Sequence, residues 1–274
     1  MDLQTLINKY SVYKHCIVWN GIPSEELVLS KHLVYRLLHH YSGGWMLRNC
    51  YDWDCEGPTN FWEIIQDRHY DIAELPTKVR NQIRRCFKDC EIKRITNIEL
   101  VRDNGYLVYS EAFKRYHDVA VSIDTREQWE KSVLAQSGLE YWGVYSKETG
   151  QMIAWALNKV KKHSVNYMTL KAIPELMNRH YPYYGLLYEM GRYYLAEKGY
   201  SYVSDGWRSI SGHSNIQPFL EQKFLFRKAY CKMDLHYATW LKYIIYVLYP
   251  FRKLPIIPLP VRNLLKFEEI NRGK

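Results

Sequence analysis

Few side chains in this sequence combine reactive chemistry with a position that exposes them. Asp205 sits just past a short buried-type run, beside Gly206 and close to Arg208. A carboxylate there can orient a cationic or amine group, or pair with the guanidinium. An aspartate that caps its own loop through the following N–H groups would occupy the same place. His213 has the intrinsic pKa range of a proton acceptor, and Ser214 next to it suits the N-cap of a helix. Tyr230 offers a phenol on the closing strand, where a core tyrosine is equally at home. Arg80, Arg84, Arg85 and Lys88 form a basic stripe that fits RNA phosphates, a polyanion or simply a solvated helix face.

The six cysteines, at 16, 50, 55, 86, 90 and 231, include no C-x-x-C pair, so no metal site is expected. The first ten residues carry Asp2 and Lys9 and lack an apolar core, unlike a signal peptide. Reduced thiols and a cytoplasmic location follow as the expectation. A net charge of +9, from 38 basic against 29 acidic residues, favours anionic partners without naming one. Hydrophobic residues at 47% and charged ones at 24% are ordinary for a globular chain, which excludes general disorder.

Those side chains need a scaffold. Leu27–His40 has helical spacing, Trp45–Trp53 suits a short strand, and Thr59 is placed to cap a short helix through Ile65. Pro76 opens a helix to about Asp89, with Val79, Ile83, Phe87 and Cys90 on one face. Glu91–Ile95 alternates like a strand. Helices follow at Gly105–His117 and at Thr125–Ala135, the second with Thr125 and Gln128 as a capping box. The period then falls to two. Strands are predicted at Glu140–Tyr145, Gln151–Lys161 and Ser164–Ala172, then a helix at Tyr183–Glu197. A strand at Tyr200–Ser204, a helix at Ser214–Lys223 and a strand at Phe226–Tyr237 complete the series. The order implies an α+β (α/β) fold, a mixed antiparallel and parallel sheet flanked by helices. Its winding changes where Ala172 hands over to the helix at Tyr183, a place where open sheets bind ligands.

This order resembles the GNAT superfamily of acyltransferases, and within it the Fem-type (FemAB-like) branch. The resemblance rests on Leu75-Pro76-Thr77-Lys78-Val79-Arg80 through Arg85, on the hairpin from Trp142-Gly143-Val144-Tyr145 to Ile153-Ala154, and on Asp205-Gly206-Trp207-Arg208-Ser209 followed by Phe219–Phe224. It covers about Leu75 to Tyr237. It implies three regions: 1–75, a reduced GNAT-like half; 76–238, the acyltransferase domain; and 239–274, an aromatic and basic tail.

The resemblance further implies an N-acyltransferase, with acetyl-CoA as the leading donor and aminoacyl-tRNA as the alternative. The acceptor would be an amine of a cell-envelope or polysaccharide precursor, small or lipid-linked. The oxyanion of the tetrahedral intermediate would meet a main-chain N–H near Leu170, Lys171 or Ala172. Asp205 would then orient the acceptor amine, and Tyr230 would return a proton to the leaving group. The coenzyme's pantetheine arm would pass near His213 and Ser214. In the family a Q/R-x-x-G-x-G/A loop holds the pyrophosphate at the start of the central helix. Here Arg179 and Gly185 match it, whereas Tyr183 and Tyr184 stand where small residues are usual. A GNAT-shaped binding module without catalysis is the other class that this departure leaves open.

Trp240–Phe251 mixes rings with Lys242, Arg252 and Lys253. At eight residues, the apolar run Tyr243–Pro250 falls short of the roughly 20 needed to span a bilayer. It suits either a membrane interface, peripheral to the inner face of the membrane, or a segment that docks on its own domain.

Overall fold

The computed structural model describes residues 3–114, 123–210 and 216–273. His213 and Ser214 therefore lie outside the described residues. The chain divides into two compact units: Met1–Ile64 with Trp207–Asn215 and Lys228–Lys274, and Ile65–Gly206 with Ile216–Arg227.

Ten strands run in chain order. They are β1 (Tyr10–Tyr13), β2 (Cys16–Trp19), β3 (Met46–Tyr51), β4 (Phe61–Gln66) and β5 (Cys90–Ile95). Then come β6 (Leu139–Ser146), β7 (Met152–Val160), β8 (Ser164–Ala172), β9 (Tyr202–Trp207) and β10 (Arg227–Tyr237).

In the first unit β1 and β2 form an antiparallel hairpin, β2 pairs parallel with β3, and β3 pairs antiparallel with β10. One face is covered by the helix Lys31–His40, whose Val34 and Leu37 pack with Ile17 and Leu47. That helix starts later than its spacing predicts. Ser30 caps it by accepting from the Leu33 N–H, while the buried Asn49 side chain holds Leu27 and Leu29 in an extended stretch. The opposite face packs on the helices Thr239–Leu248 and Leu259–Asn271 through Leu241, Ile245, Tyr249 and Leu265.

The helix expected from Thr59 to Ile65 is instead strand β4. Thr59 Oγ1 donates 2.7 Å to the Cys231 carbonyl, a partner 172 positions away that tethers this segment to β10. Local spacing cannot anticipate such a partner, and the tertiary pairing overrides it.

The second unit holds β9-β8-β7-β6-β5 in that spatial order. Strands β5 to β8 are antiparallel to their neighbours, and β8 pairs parallel with β9. Both faces of the central strand β7 are covered, which accounts for an unbroken buried run from Met152 to Asn158 where a half-exposed strand would alternate. On one face Trp129, Val108 and Leu100, from helices Arg126–Ala135, Gly105–Phe113 and Asn97–Arg102, pack with Tyr141, Trp155 and Leu157. The capping box of Thr125 with Gln128 is present as expected. On the other face lie the helices Thr77–Asp89 and Pro182–Gly191, the second continuing as one π-helical segment, Arg192–Glu197.

Strand β8 carries an extra residue. Leu157 faces Thr169 and Asn158 faces Tyr167, so Met168 bulges out of register and is half exposed.

Candidate functional site

The parallel pairing of β8 with β9 is short. It joins Ser164, Val165 and Asn166 to Tyr202, Val203 and Ser204, and ends there. Strand β8 runs on to Ala172, and β9 to Trp207, with no further register between them. Two devices at this point part the strands. The Met168 bulge bends β8 immediately after the last pair. On β9, Gly206 takes a φ of +87°, a conformation that L side chains rarely adopt, and its N–H turns back 2.8 Å to Ser204 Oγ.

The free edge of β8 can be read from its neighbours. The Ile173 N–H bonds the Ile153 carbonyl on the β7 side. Backbone groups alternate along a strand, so Lys171 and Thr169 also direct their amides to β7. Leu170 and Ala172 direct theirs the other way, toward the edge that β9 has left. The Tyr183 hydroxyl, donating 3.3 Å to the Leu170 carbonyl, agrees with this orientation. Of the three main-chain positions named from the sequence, Leu170 and Ala172 thus face the parted edge. The side chain of Lys171 lies over the Phe113 ring at 4.1 Å, and burial lowers its pKa.

Asp205 stands on β9 one residue past the last pair. Burial raises its carboxyl to about 7, against an opposing hydrogen bond from Gln217 on the helix Ile216–Phe224. A group half-ionised near neutrality can both take and give a proton. Nearby, Asn166 Oδ1 is buried without a hydrogen-bond partner among the described residues, and lies 4.0 Å from where a Cβ on Gly206 would sit. Tyr167 Oη, on the opposite face of β8, is likewise buried and unpartnered among the described residues. Asn166 and Gln217 carry no motif and were not singled out from the sequence. Only the register of β8 against β9 brings Asn166 to the parting point.

The other expected residues have these surroundings. Arg208 belongs to the first unit, where it donates to the Asn60 carbonyl and lies 4.4 Å over the Trp62 ring. Tyr230 is in the same unit, edge-on to Trp62. In the second unit the Arg80–Lys88 stripe lies on an exposed helix face. Arg80 bonds Thr77, and Arg85 pairs with Asp89 at 2.6 Å.

At the helix start at Pro182, where the resemblance places the pyrophosphate, two amides are already bonded. Four amides, Tyr181 to Tyr184, would ordinarily be available there. Tyr181 uses its N–H on the Met177 carbonyl, Pro182 has none, and Tyr184 returns its N–H 2.9 Å to the Tyr181 carbonyl. Gly185 has a packing role. A Cβ there would lie 2.4 Å from Cys86 Sγ and 2.7 Å from Ile92 Cδ1, so glycine lets this helix close on Thr77–Asp89. The Tyr184 ring packs against Phe219 and Phe224. Arg179 is exposed and reaches Glu148 at 3.5 Å.

An open depression of about 480 Å³ lies at the far side of this unit, lined by Glu91, Lys93, Asp103, Tyr145 and Lys147. Several of its polar groups are engaged in hydrogen bonds. Tyr145 donates 2.7 Å to Asp103, and Lys147 donates to the Phe87 carbonyl. It does not touch the parted strands.

No protein-family model matches the sequence, and no curated protein matches it. Solved structures share the fold. FemX is 11% identical, with a TM-score of 0.50 over 70% of this chain and 65% of that one. The C-terminal domain of a putative lysylphosphatidylglycerol synthetase from Agrobacterium fabrum is 9% identical, with a TM-score of 0.53 over 87% and 82%. The chain therefore spans just under two thirds of the FemX chain. Its fold is GNAT-like, a mixed sheet flanked by helices, similar to that of FemX.

Proposed function

We propose that the second unit is an acyl-transfer core whose reaction takes place at the parted edge of β8. The observation that carries this reading is the end of β8–β9 pairing at Asn166 and Ser204, which leaves the Leu170 and Ala172 amides turned to an unpaired edge. An N–H group fixed by a sheet is a preorganised donor for a carbonyl oxygen as it gains charge; the Leu170 and Ala172 amides lie about 6.7 Å apart along the strand, so one of them serves the oxygen. Asp205, poised near neutrality, takes the proton of the attacking amine as the new N–C bond forms. When the C–O bond of the donor ester breaks, the same proton passes to the leaving oxygen.

The donor that this site favours is an aminoacyl ester carried on tRNA. At this helix start the Tyr181 and Tyr184 N–H groups are already bonded and Pro182 has none, which disfavours a coenzyme A pyrophosphate there, and no step is assigned to that group. A fold neighbour named as a putative lysylphosphatidylglycerol synthetase is consistent with aminoacyl transfer. The acceptor, on the Fem-type resemblance, is an amine of a cell-envelope or polysaccharide precursor.

The test is loss of the aminoacyl group from charged tRNA in the presence of the full-length chain and an amine acceptor. Asp205→Asn is expected to slow transfer about 100-fold, the usual weight of general base catalysis. Unchanged turnover would remove Asp205 from the chemistry. Equal transfer from acetyl-CoA would replace the donor assigned here. A binding module without turnover is the second reading, and the Tyr183 hydroxyl on the Leu170 carbonyl favours it by occupying part of the edge. Thermal stabilisation by charged tRNA with no transfer at all would decide for the module.

A further inference from the structure

The helix Thr239–Leu248 carries two apolar stripes. Leu241 and Ile245 face inward and are buried, with Leu248 packed beside them. Trp240, Tyr243, Ile244 and Val247, spaced i, i+3, i+4, i+7, form a second stripe that faces solvent. Tyr246, 75% exposed, widens it. The chain after the helix continues the same character, with Phe251, Leu254 and Ile256 exposed, Ile256 at 85%. Trp45 adds its ring beside Trp240, 5.5 Å between centroids, and is itself stacked on His15. All of these residues belong to the first unit. Scattered exposed apolar side chains are normal, but a contiguous set of this kind marks an interaction surface.

Its composition indicates the partner. Between Leu235 and Phe267 there is no acidic residue, while Lys242, Arg252, Lys253, Arg262 and Lys266 are basic. Arg252 is drawn to Glu269 at 3.2 Å, and Arg262 donates to the Pro255 and Ile257 carbonyls. Lys242 and Lys253 remain exposed beside the apolar stripe. Trp and Tyr, with an apolar body and a polar tip, suit the boundary between acyl chains and headgroups. A basic rim around such rings complements anionic headgroups.

Among the described residues no helix is long and apolar enough to cross a membrane. The geometry points instead to a helix lying flat in the headgroup layer. We infer that the first unit docks on anionic lipid bilayers through the outward stripe of Thr239–Leu248 and the turn that follows. This surface does not depend on the acyl-transfer reading.

The experiment is flotation of the full chain with vesicles of phosphatidylglycerol mixed into phosphatidylcholine, and of phosphatidylcholine alone. Binding is expected to be stronger to the anionic vesicles and to weaken with added salt. The double substitution Tyr246→Ser with Ile256→Ser removes two side chains that face solvent, so the fold is retained. It is expected to lower vesicle partitioning about tenfold. Lys242→Glu with Lys253→Glu is expected to abolish the preference for anionic vesicles. Ile98→Ser, at an exposed site in the other unit, is expected to change nothing. The inference is overturned by no flotation of the native chain, or by flotation that the double serine variant leaves intact. It is also overturned if sedimentation shows a dimer that the serine variant dissolves while vesicles bind neither form.

Discussion

The Tyr183 phenol reaches the Leu170 carbonyl at 3.3 Å, on the edge of β8 that no longer pairs with β9. One side chain from the central helix thus attends to a backbone group that a neighbouring strand would ordinarily satisfy. The carbonyl is taken and the flanking amides are not needed for that contact, so the edge is biased toward accepting an oxygen. Replacing Tyr183 with Phe removes the bond but keeps the ring. A stability loss of about 1 kcal/mol is expected, measurable by urea unfolding. A loss near zero would show that the hydroxyl is not holding the carbonyl.

The same alternation predicts a pattern in amide hydrogen exchange. The Ile173 N–H is held by the Ile153 carbonyl and, with the Lys171 N–H, should exchange slowly. The Leu170 and Ala172 amides should exchange at least roughly tenfold faster. Equal protection along residues 170–173 would mean that the edge is paired after all.

Asp205 couples the candidate site to pH. Its folded-state pKa, about 7, is above its ordinary value because burial penalises the charged form. The stability it contributes is complete below its unfolded pKa and is lost as pH rises through about 7. Glu26, buried and bonded to Asn49 in the first unit, is raised to about 7 for the same reason and adds to the trend. The native chain should therefore unfold more readily at pH 8 than at pH 5. Asp205→Asn should remove part of that slope, on the order of 2 kcal/mol. Parallel pH–stability curves for the two proteins would count against a buried carboxylate.

Gly185 tests the helix contact that displaces the phosphate loop. An alanine there puts a methyl 2.4 Å from Cys86 Sγ and should cost about 2 kcal/mol by overpacking. Cys86→Ala in the same chain should recover a good part of it, which a thermal-unfolding double-mutant cycle would reveal. Additive effects would place the clash elsewhere.

Tyr194 probes the polar group beneath the same helix. Its hydroxyl accepts from Trp142 Nε1 at 2.9 Å and from Asn158 Nδ2 at 3.3 Å, and donates to Glu140 at 2.7 Å. Tyr194→Phe leaves the buried indole N–H without its acceptor. It should destabilise by about 1–3 kcal/mol, with a change in tryptophan fluorescence as the local reporter.

What the sequence made legible was whatever depends on near neighbours. The strand Ser164–Ala172 and the capping box at Thr125 are written in local spacing, and the structure has both. The stretch Thr59–Ile65 reads locally as a capped helix, yet it holds strand β4, because the partner of Thr59 on β10 is far along the chain. The hairpin Tyr10–Trp19 gave no signal, since its four-residue strands are too short to show a period. At the candidate site, Asp205 was visible as a carboxylate beside a glycine. Asn166 and Gln217 were not, because nothing in their own neighbourhoods marks them, and only the pairing of β8 with β9 gives Asn166 its position.

The Met168 bulge has one more implication. Half exposed and out of register, that residue matters by being present rather than by being methionine. Many side chains would serve at position 168, yet removing the position would realign β8 so that its two halves share one phase. A lineage of related chains should accordingly tolerate free substitution here and reject any change in loop-to-loop length between Ser164 and Ala172. In this molecule the parted edge is encoded by a residue count, which a comparison of residue types alone would pass over.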